Sequence, residues 1–303
     1  MSDLIIHHSI ADLYRALGMP IEQEMDFTIH FLPAIHTEIP FKSPLFRANY
    51  YSFVFVKDGH GHYITDNEVY PTAPGTVYFT NPGHIKGFEM NELKDAYIIT
   101  LTEAFLKANV HPDIFEEFPF LLAERVPPCT LVPEEFAAFE SLYMQIWKEY
   151  HGDSAYKNKI LGNLFVVLLL KIKERFWKGY NPIDEGDRSS QIVKQFKQSM
   201  ERHFRSLIEG QMDYHYQVQD YANEQRLHPN YLSHVIKSKT GKSVNQWMVE
   251  KLIGEARAML RNSQMTAKEI GYRLGFSEPT HFNSYFKKHT GQTPGAYRKA
   301  QKP

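Results

Sequence analysis

The sequence predicts an α+β protein of two domains, an antiparallel β-barrel accompanied by helices and then an all-α domain. Three observations predict it. Between about residues 46 and 101, short alternating apolar runs are punctuated by Gly, Pro and Asn, the pattern of a barrel or jelly roll. From Glu134 on, apolar residues recur at three- and four-residue steps, the period of a helix. The charge divides along with the pattern: residues 188–303 hold 19 Lys+Arg against 9 Asp+Glu, a net +10, while residues 1–187 hold 15 against 26, a net −11, within a total of −1. Such asymmetry joins a module suited to a polyanion to a module suited to something else.

Composition bounds the class. A chain of 303 residues can bury a core in each domain, and 43% hydrophobic with 23% charged residues excludes a disordered or fibrous protein. The single cysteine, Cys129 in "VPPCTLVP", rules out an intramolecular disulfide and reads as a small loop thiol. "MSDLIIHHSIADLYRAL" lacks the basic start and continuous apolar run of a signal peptide. "LFVVLLL", residues 164–170, falls far short of the roughly twenty residues that span a bilayer. The expected location is the cytoplasm, with no membrane partner.

The elements follow in order. "YYSFVFV" alternates as a strand, "DGHG" reads as a turn, and "HYITDNEVY" reads as two short strands about Asp66-Asn67; "TVYFTNPGH" follows the turn "TAPG". Phe136, Phe139, Tyr143, Ile146, Trp147 and Tyr150 then mark one helix, and Leu161, Leu164, Leu168 and Ile172 a second. Both are apolar over a wide arc, so they meet either the barrel or another subunit, and the surface around residues 161–172 is the candidate dimer interface. "WKGYNPIDEGDRSSQ" breaks the pattern with glycine, proline and clustered charge. It sets the domains at 1–178 and 191–303, with a linker over 179–190. Ile192, Phe196, Met200, Phe204 and Leu207 open the second domain at helical spacing.

That domain contains a repeat. "PNYLSHVIKSKTGKSV" from Pro229 and "PTHFNSYFKKHTGQTP" from Pro279 align with Leu232 on Phe282, Lys237 on Lys287 and Thr240-Gly241 on Thr290-Gly291. In each copy a short helix (218–225; 266–274) precedes a tight turn and a second helix. Gly275 suits a positive φ, Ser277 suits a cap for the following helix, and Thr266 with Glu269 has capping-box spacing. Two helix-turn-helix motifs result, joined by a long helix over about 244–260. In the second, Phe282, Tyr285 and Phe286 face the core, which leaves Thr280, His281, Asn283, Ser284 and Lys287 outward. In the first, Asn230, Ser233, His234 and Lys237 are the corresponding set. Asn, Ser and Thr suit base edges, Lys suits guanine or phosphate, and the nine are the candidate DNA-binding residues.

"GYRLGFSEPTHFNSYFKKHTGQTPGAYR", residues 271–298, closely resembles the signature of the AraC family of bacterial transcription regulators, and the match runs back to about Val218. The resemblance implies a seven-helix DNA-binding domain whose recognition helices lie at 229–239 and 278–289, and an N-terminal cupin-like barrel for effector binding and dimerisation. The implied fold class is therefore α+β: a cupin-like β-barrel with helices, then an all-α domain with two helix-turn-helix motifs. Double-stranded DNA, a second copy of the chain, a small effector such as a sugar and, for an activator, RNA polymerase are the implied partners. Departures concentrate in the first motif, where Gln225, Arg226 and His228 replace an apolar residue, a small turn residue and a capping Ser. Leu252 stands where many members have arginine, and Gly271 replaces an alanine at a cost of about 1 kcal/mol in helix propensity.

For the acidic half two uses compete. His60 and His62 lie two apart on a strand, with Glu68 and His84 following at spacings loosely like those of metal-binding cupins. A metal-dependent cupin enzyme fused to a DNA-binding domain would need a catalytic metal there. The gap from His62 to Glu68 is too long for the usual motif and His60 falls in the glycine-flanked turn, so no metal, cofactor or catalytic residue is assigned. Barrels of this size enclose a cavity near the mouth, and Tyr51, Phe53, Phe55, Tyr78 and His84 are the candidate ligand contacts, packed core being the alternative for the three that alternate along one strand. "IIHH", residues 5–8, is a candidate arm over the pocket. A barrel that only dimerises and senses nothing is the remaining alternative.

Overall fold

The computed structural model describes residues 4–21, 25–65, 68–111, 114–122, 127–176 and 188–300. Contacts divide the chain into two compact units, Met1–Val110 with Glu116–Gly186, and His111–Phe115 with Asp187–Pro303. Of the expected linker, residues 179–187 lie outside the described residues, while Arg188 to Ser190 form the first turn of a helix.

The first unit opens with β1 (Ile5–His7) and α1 (Ile10–Ala16), then β2 (Phe27–Phe31), α2 (Leu32–Ile35), β3 (Phe41–Lys42) and β4 (Phe46–Ala48). Two long strands, β5 (Tyr51–Thr65) and β8 (Ile85–Leu101), flank β6 (Glu68–Thr72) and β7 (Thr76–Thr80), and β9 (Cys129–Thr130) completes the sheet. The nine strands follow the order β1-β4-β8-β5-β7-β9, with β2 and β3 also on β8 and β6 on β5. β8 is long enough to hold β4 near its start, β3 near its middle and β2 at its end, in addition to β5, so one strand gathers four partners.

"DGHG" is not a turn. β5 runs through it, paired with β8 from Tyr51 opposite Leu101 to Thr65 opposite Lys86, and irregular register between Val56 and Gly61 absorbs the sequence. A pair of this length supplies enough ladder bonds to override local turn chemistry, and bulging is where strand glycines belong. A Cβ on Gly61 would stand 2.1 Å from the Glu89 carbonyl oxygen, so its glycine permits close approach of the two backbones. Residues 66–67, expected as the turn, lie outside the described residues between β5 and β6, which pair antiparallel.

Short helices α3 (Glu103–Phe105) and α4 (Ile114–Glu117) lead to α5 (Pro133–Tyr150) and α6 (Lys157–Phe176). Pro133 occupies the first turn of α5, where its missing N–H costs nothing, and Glu135 accepts from the Val132 N–H at 3.2 Å. Phe139, Tyr143, Ile146, Leu161, Phe165, Leu168 and Ile172 are buried, so the helices cover one face of the sheet. Leu161, Leu168 and Ile172 are therefore not available to a partner subunit; among the described side chains of α6 the exposed large apolar ones are Ile160, Val167 and Leu170.

The second unit comprises α7 (Arg188–Glu209), α8 (Val218–Glu224), α9 (Pro229–Thr240), α10 (Val244–Asn262), α11 (Ala267–Arg273), α12 (Pro279–Thr290) and α13 (Pro294–Ala300). One core unites them, with Phe196, Phe204, Tyr221, Leu232, Ile236, Ile270, Leu274, Phe282 and Phe286 all buried, along with Leu252. Burying each large apolar side chain contributes about 1.5–3 kcal/mol. Lys251 of α10 is buried between Glu201 of α7 and Glu255 one turn on, 3.1 Å from the latter, so its ammonium is charge-compensated.

Candidate functional site

Each expected recognition helix forms: α9 runs one residue past its expected end, to Thr240, and α12 is shifted one residue on, from Pro279 to Thr290. The repeated Thr-Gly explains both ends. Thr240 and Thr290 donate their hydroxyls to the carbonyls of Ile236 and Phe286, at 2.7 and 2.8 Å. Gly241 and Gly291 then turn left-handed, with φ of 75° and 80°.

The starts of the helices differ. In the second motif Thr266 and Glu269 form the capping box of α11, and Gly275 takes φ +81° in the turn. A Cβ there would also meet His215 Nε2 at 3.2 Å, so both backbone and packing demand glycine. Ser277 does not cap α12; Glu278 is the N-cap residue, makes no side-chain cap bond, and instead accepts from the Thr280 hydroxyl at 3.2 Å. In the first motif Arg226 occupies the left-handed position, φ 55°, and among the described residues it is the only non-glycine there. His228 caps α9, accepting the Asn230 N–H at Nδ1, 3.3 Å, which is the task expected of a serine. Gly271 has a packing reason as well: a Cβ there would approach the Phe282 Cβ at 3.0 Å, closing the space between α11 and α12.

Of the nine candidate DNA-binding residues, Asn230, His234, Lys237, Thr280, His281, Asn283, Ser284 and Lys287 are exposed and Ser233 is half-buried. The opposite faces are held down by Leu232, Val235 and Ile236 in α9 and by Phe282 and Phe286 in α12, with Tyr285 half-buried. Behind the first motif, His203 is buried between the Tyr221 hydroxyl (3.1 Å from Nδ1) and the Tyr214 carbonyl and Tyr216 N–H (each 3.2 Å from Nε2). Burial holds its pKa, and that of His215, below the ordinary imidazole range.

In the first unit a cavity of about 410 Å³ lies on the face of the sheet opposite the helices. Strand alternation decides which side chains reach it. Ser52, Val54 and Val56 of β5 line it, while Tyr51, Phe53 and Phe55 point the other way. Phe53 packs edge-on against Phe165, ring centroids 4.9 Å apart, and Phe55 against Phe136, Phe139 and Tyr143. Those three candidate ligand contacts are thus core, and the side chains that line the cavity lie one residue out of phase with them. Tyr78 does line the cavity; His84, buried before β8, does not. Ile5 and His7 of β1, which pairs in parallel with β4, contribute to the lining, as do Leu13 and Tyr14 of α1. No sequence signal singled out α1, although Ser9 and Asp12 form a capping box at its start.

His60 and His62 are both exposed on β5, His60 3.2 Å from Glu92, and among the described residues no three His, Cys, Asp or Glu side chains are grouped to hold an ion. No helix among them is long and apolar enough to cross a membrane.

Two helix-turn-helix motifs on a shared core, with polar outward helices and a basic excess, define a DNA-binding domain of the transcription-regulator class. A family profile described as a helix-turn-helix domain matches residues 221–300. The arabinose operon regulatory protein of Escherichia coli is 26% identical over 160 residues, 53% of this chain and 51% of that protein, so the match spans about half its length. The transcriptional activator RhaR of Mannheimia succiniciproducens is 22% identical over 268 residues, 87% of this chain and 89% of the relative. A solved DNA-binding domain of AdpA, in complex with a target DNA, is 22% identical and covers 38% of this chain and 93% of its own, at a TM-score of 0.31. The sequence matches thus make residues 221–300 a helix-turn-helix domain and the chain similar to the arabinose operon regulatory protein and to RhaR.

Proposed function

We propose that the protein is a sequence-specific DNA-binding regulator of transcription whose N-terminal unit, a cupin-like barrel over residues 1–178, binds a small molecule and pairs two copies. The observation that carries the DNA-binding part is the pair of exposed polar helix faces, Asn230, Ser233, His234 and Lys237 on α9 and Thr280, His281, Asn283, Ser284 and Lys287 on α12, on a half of the chain with net charge +10. Lysines release phosphate counterions and supply affinity; Asn, Ser, Thr and His at the base edges supply sequence choice. The cavity supports the effector reading, since its volume of about 410 Å³ falls within the range of small-molecule sites. The exposed Ile160, Val167 and Leu170 of α6 are the apolar surface a second copy would cover. Effector control requires only that the ligand bind one arrangement of the dimer better than another.

The division of labour is tested with two variants. Lys287→Ala should weaken binding to all sequences alike and lower the salt slope by about one. Asn283→Ala should relax preference at one or two base pairs, a loss of about 1–3 kcal/mol of discrimination, with the salt slope unchanged. Identical behaviour of the two on a panel of altered sites at two salt concentrations would contradict the assignment.

A further inference from the structure

The lining of the N-terminal cavity is chemically one-sided. Among the described residues it contains no Asp, Glu, Lys, Arg, Asn or Gln, and its walls are mainly aliphatic and aromatic, with Leu17, Leu32, Val54, Phe88, Met90 and Ile98 prominent. Several of its polar groups are committed already. The Tyr14 hydroxyl is bonded to His30, and the Thr100 hydroxyl to Thr28. Burial keeps His7, His30 and His36 below the usual imidazole range, His30 down to about 4 with the neighbouring His151 adding to the effect, so the three are neutral at pH 7. Ser52, Tyr78 and His36 add polar side chains to a wall that is otherwise mainly apolar. Tyr50 is 2% exposed, lines the cavity, and its hydroxyl has no hydrogen-bond partner. That hydroxyl has almost no surface open to the cavity, so the ring of Tyr50 is what the wall presents.

We propose that this cavity takes an uncharged, predominantly apolar small molecule, and neither a sugar nor a carboxylate. A sugar would bury a ring of hydroxyls against a wall with too few free partners, and each one left unsatisfied disfavours binding. A carboxylate would meet no cation in the lining, and an isolated buried charge is costlier still. This inference rests on the reading that the N-terminal unit binds an effector, and it departs from the sugar that the family resemblance implied.

The test uses the full chain and the uncharged fluorescent probe N-phenyl-1-naphthylamine, displaced by three classes of competitor. 4-Phenyl-2-butanone is apolar with one carbonyl acceptor, 3-phenylpropanoate has nearly the same shape with a charge, and L-arabinose and L-rhamnose represent sugars. The expected result is saturable binding of one probe per chain, displacement by the ketone, displacement by the carboxylate at least about tenfold weaker, and none by the sugars. Val54→Trp, with Ile98→Trp as a second cavity-filling variant, should abolish probe binding with the circular dichroism of the chain retained. Probe binding untouched by both fillings would place it outside the cavity and overturn the proposal, as would equal affinity for ketone and carboxylate. Thermal stabilisation by a sugar, with no probe binding, would overturn the ligand class and leave the effector reading standing. Binding by no class would overturn both.

Discussion

The two helix-turn-helix motifs share a core and a repeated Thr-Gly ending, yet they begin their second helices by different means. The second motif turns through Gly275 and starts α12 at Glu278 without a side-chain cap; the first turns through Arg226, strained at φ 55°, and starts α9 with His228 as cap. A helix terminus can thus be secured by backbone freedom or by a capping bond, and each copy invests in a different one. In the first, the missing glycine is offset by the cap; in the second, the missing cap is offset by the glycine.

Four substitutions break or sharpen that contrast, each read as hydrogen-exchange protection of the affected motif in the full chain. Gly275→Ala should cost about 2 kcal/mol, because it combines a positive φ with contact against His215 and Leu207. Arg226→Gly should stabilise the first motif by about 1 kcal/mol by removing the left-handed strain of a side-chain-bearing residue. His228→Ala should lose about 0.5–1 kcal/mol, the lower part of the range for cap removal, since its bond to Asn230 is 3.3 Å long. Glu278→Ser should add a few tenths of a kcal/mol to α12 by supplying a cap, provided that Thr280 stays helical without its bond to Glu278. If Gly275→Ala and Arg226→Gly changed protection equally and in the same direction, the two turns would not be doing different work.

The same contrast shows what the sequence made legible. The second motif was readable almost to the residue, because capping box, turn glycine and apolar period are local signals: Thr266, Glu269, Gly275 and Phe282 each perform the role their chemistry suggested. Ser277 misled because the chain enters α12 one residue later, at Glu278. The first unit was less legible because its determinants are long-range. β5 is buried continuously from Tyr51 to Val56, so alternation reveals two faces but not which one meets α5 and α6 and which meets the cavity. The glycines of "DGHG" pointed to a turn because nothing nearby discloses that β8 runs alongside. The charge division located the DNA-binding half, whereas the cavity's lining is assembled from seven stretches between Ile5 and Thr100 that no spacing rule connects.

The most direct test is selection of bound sequences from a random duplex pool with the wild-type chain, with a double variant of α9 (Asn230→Ala, His234→Ala) and with Asn283→Ala in α12, followed by competition at two salt concentrations. The account predicts a wild-type motif of two blocks about one helical turn apart, one block losing definition when α9 is altered and the other when α12 is altered. Weak, strongly salt-dependent binding without an enriched motif, or loss of the same block in both variants, would contradict it.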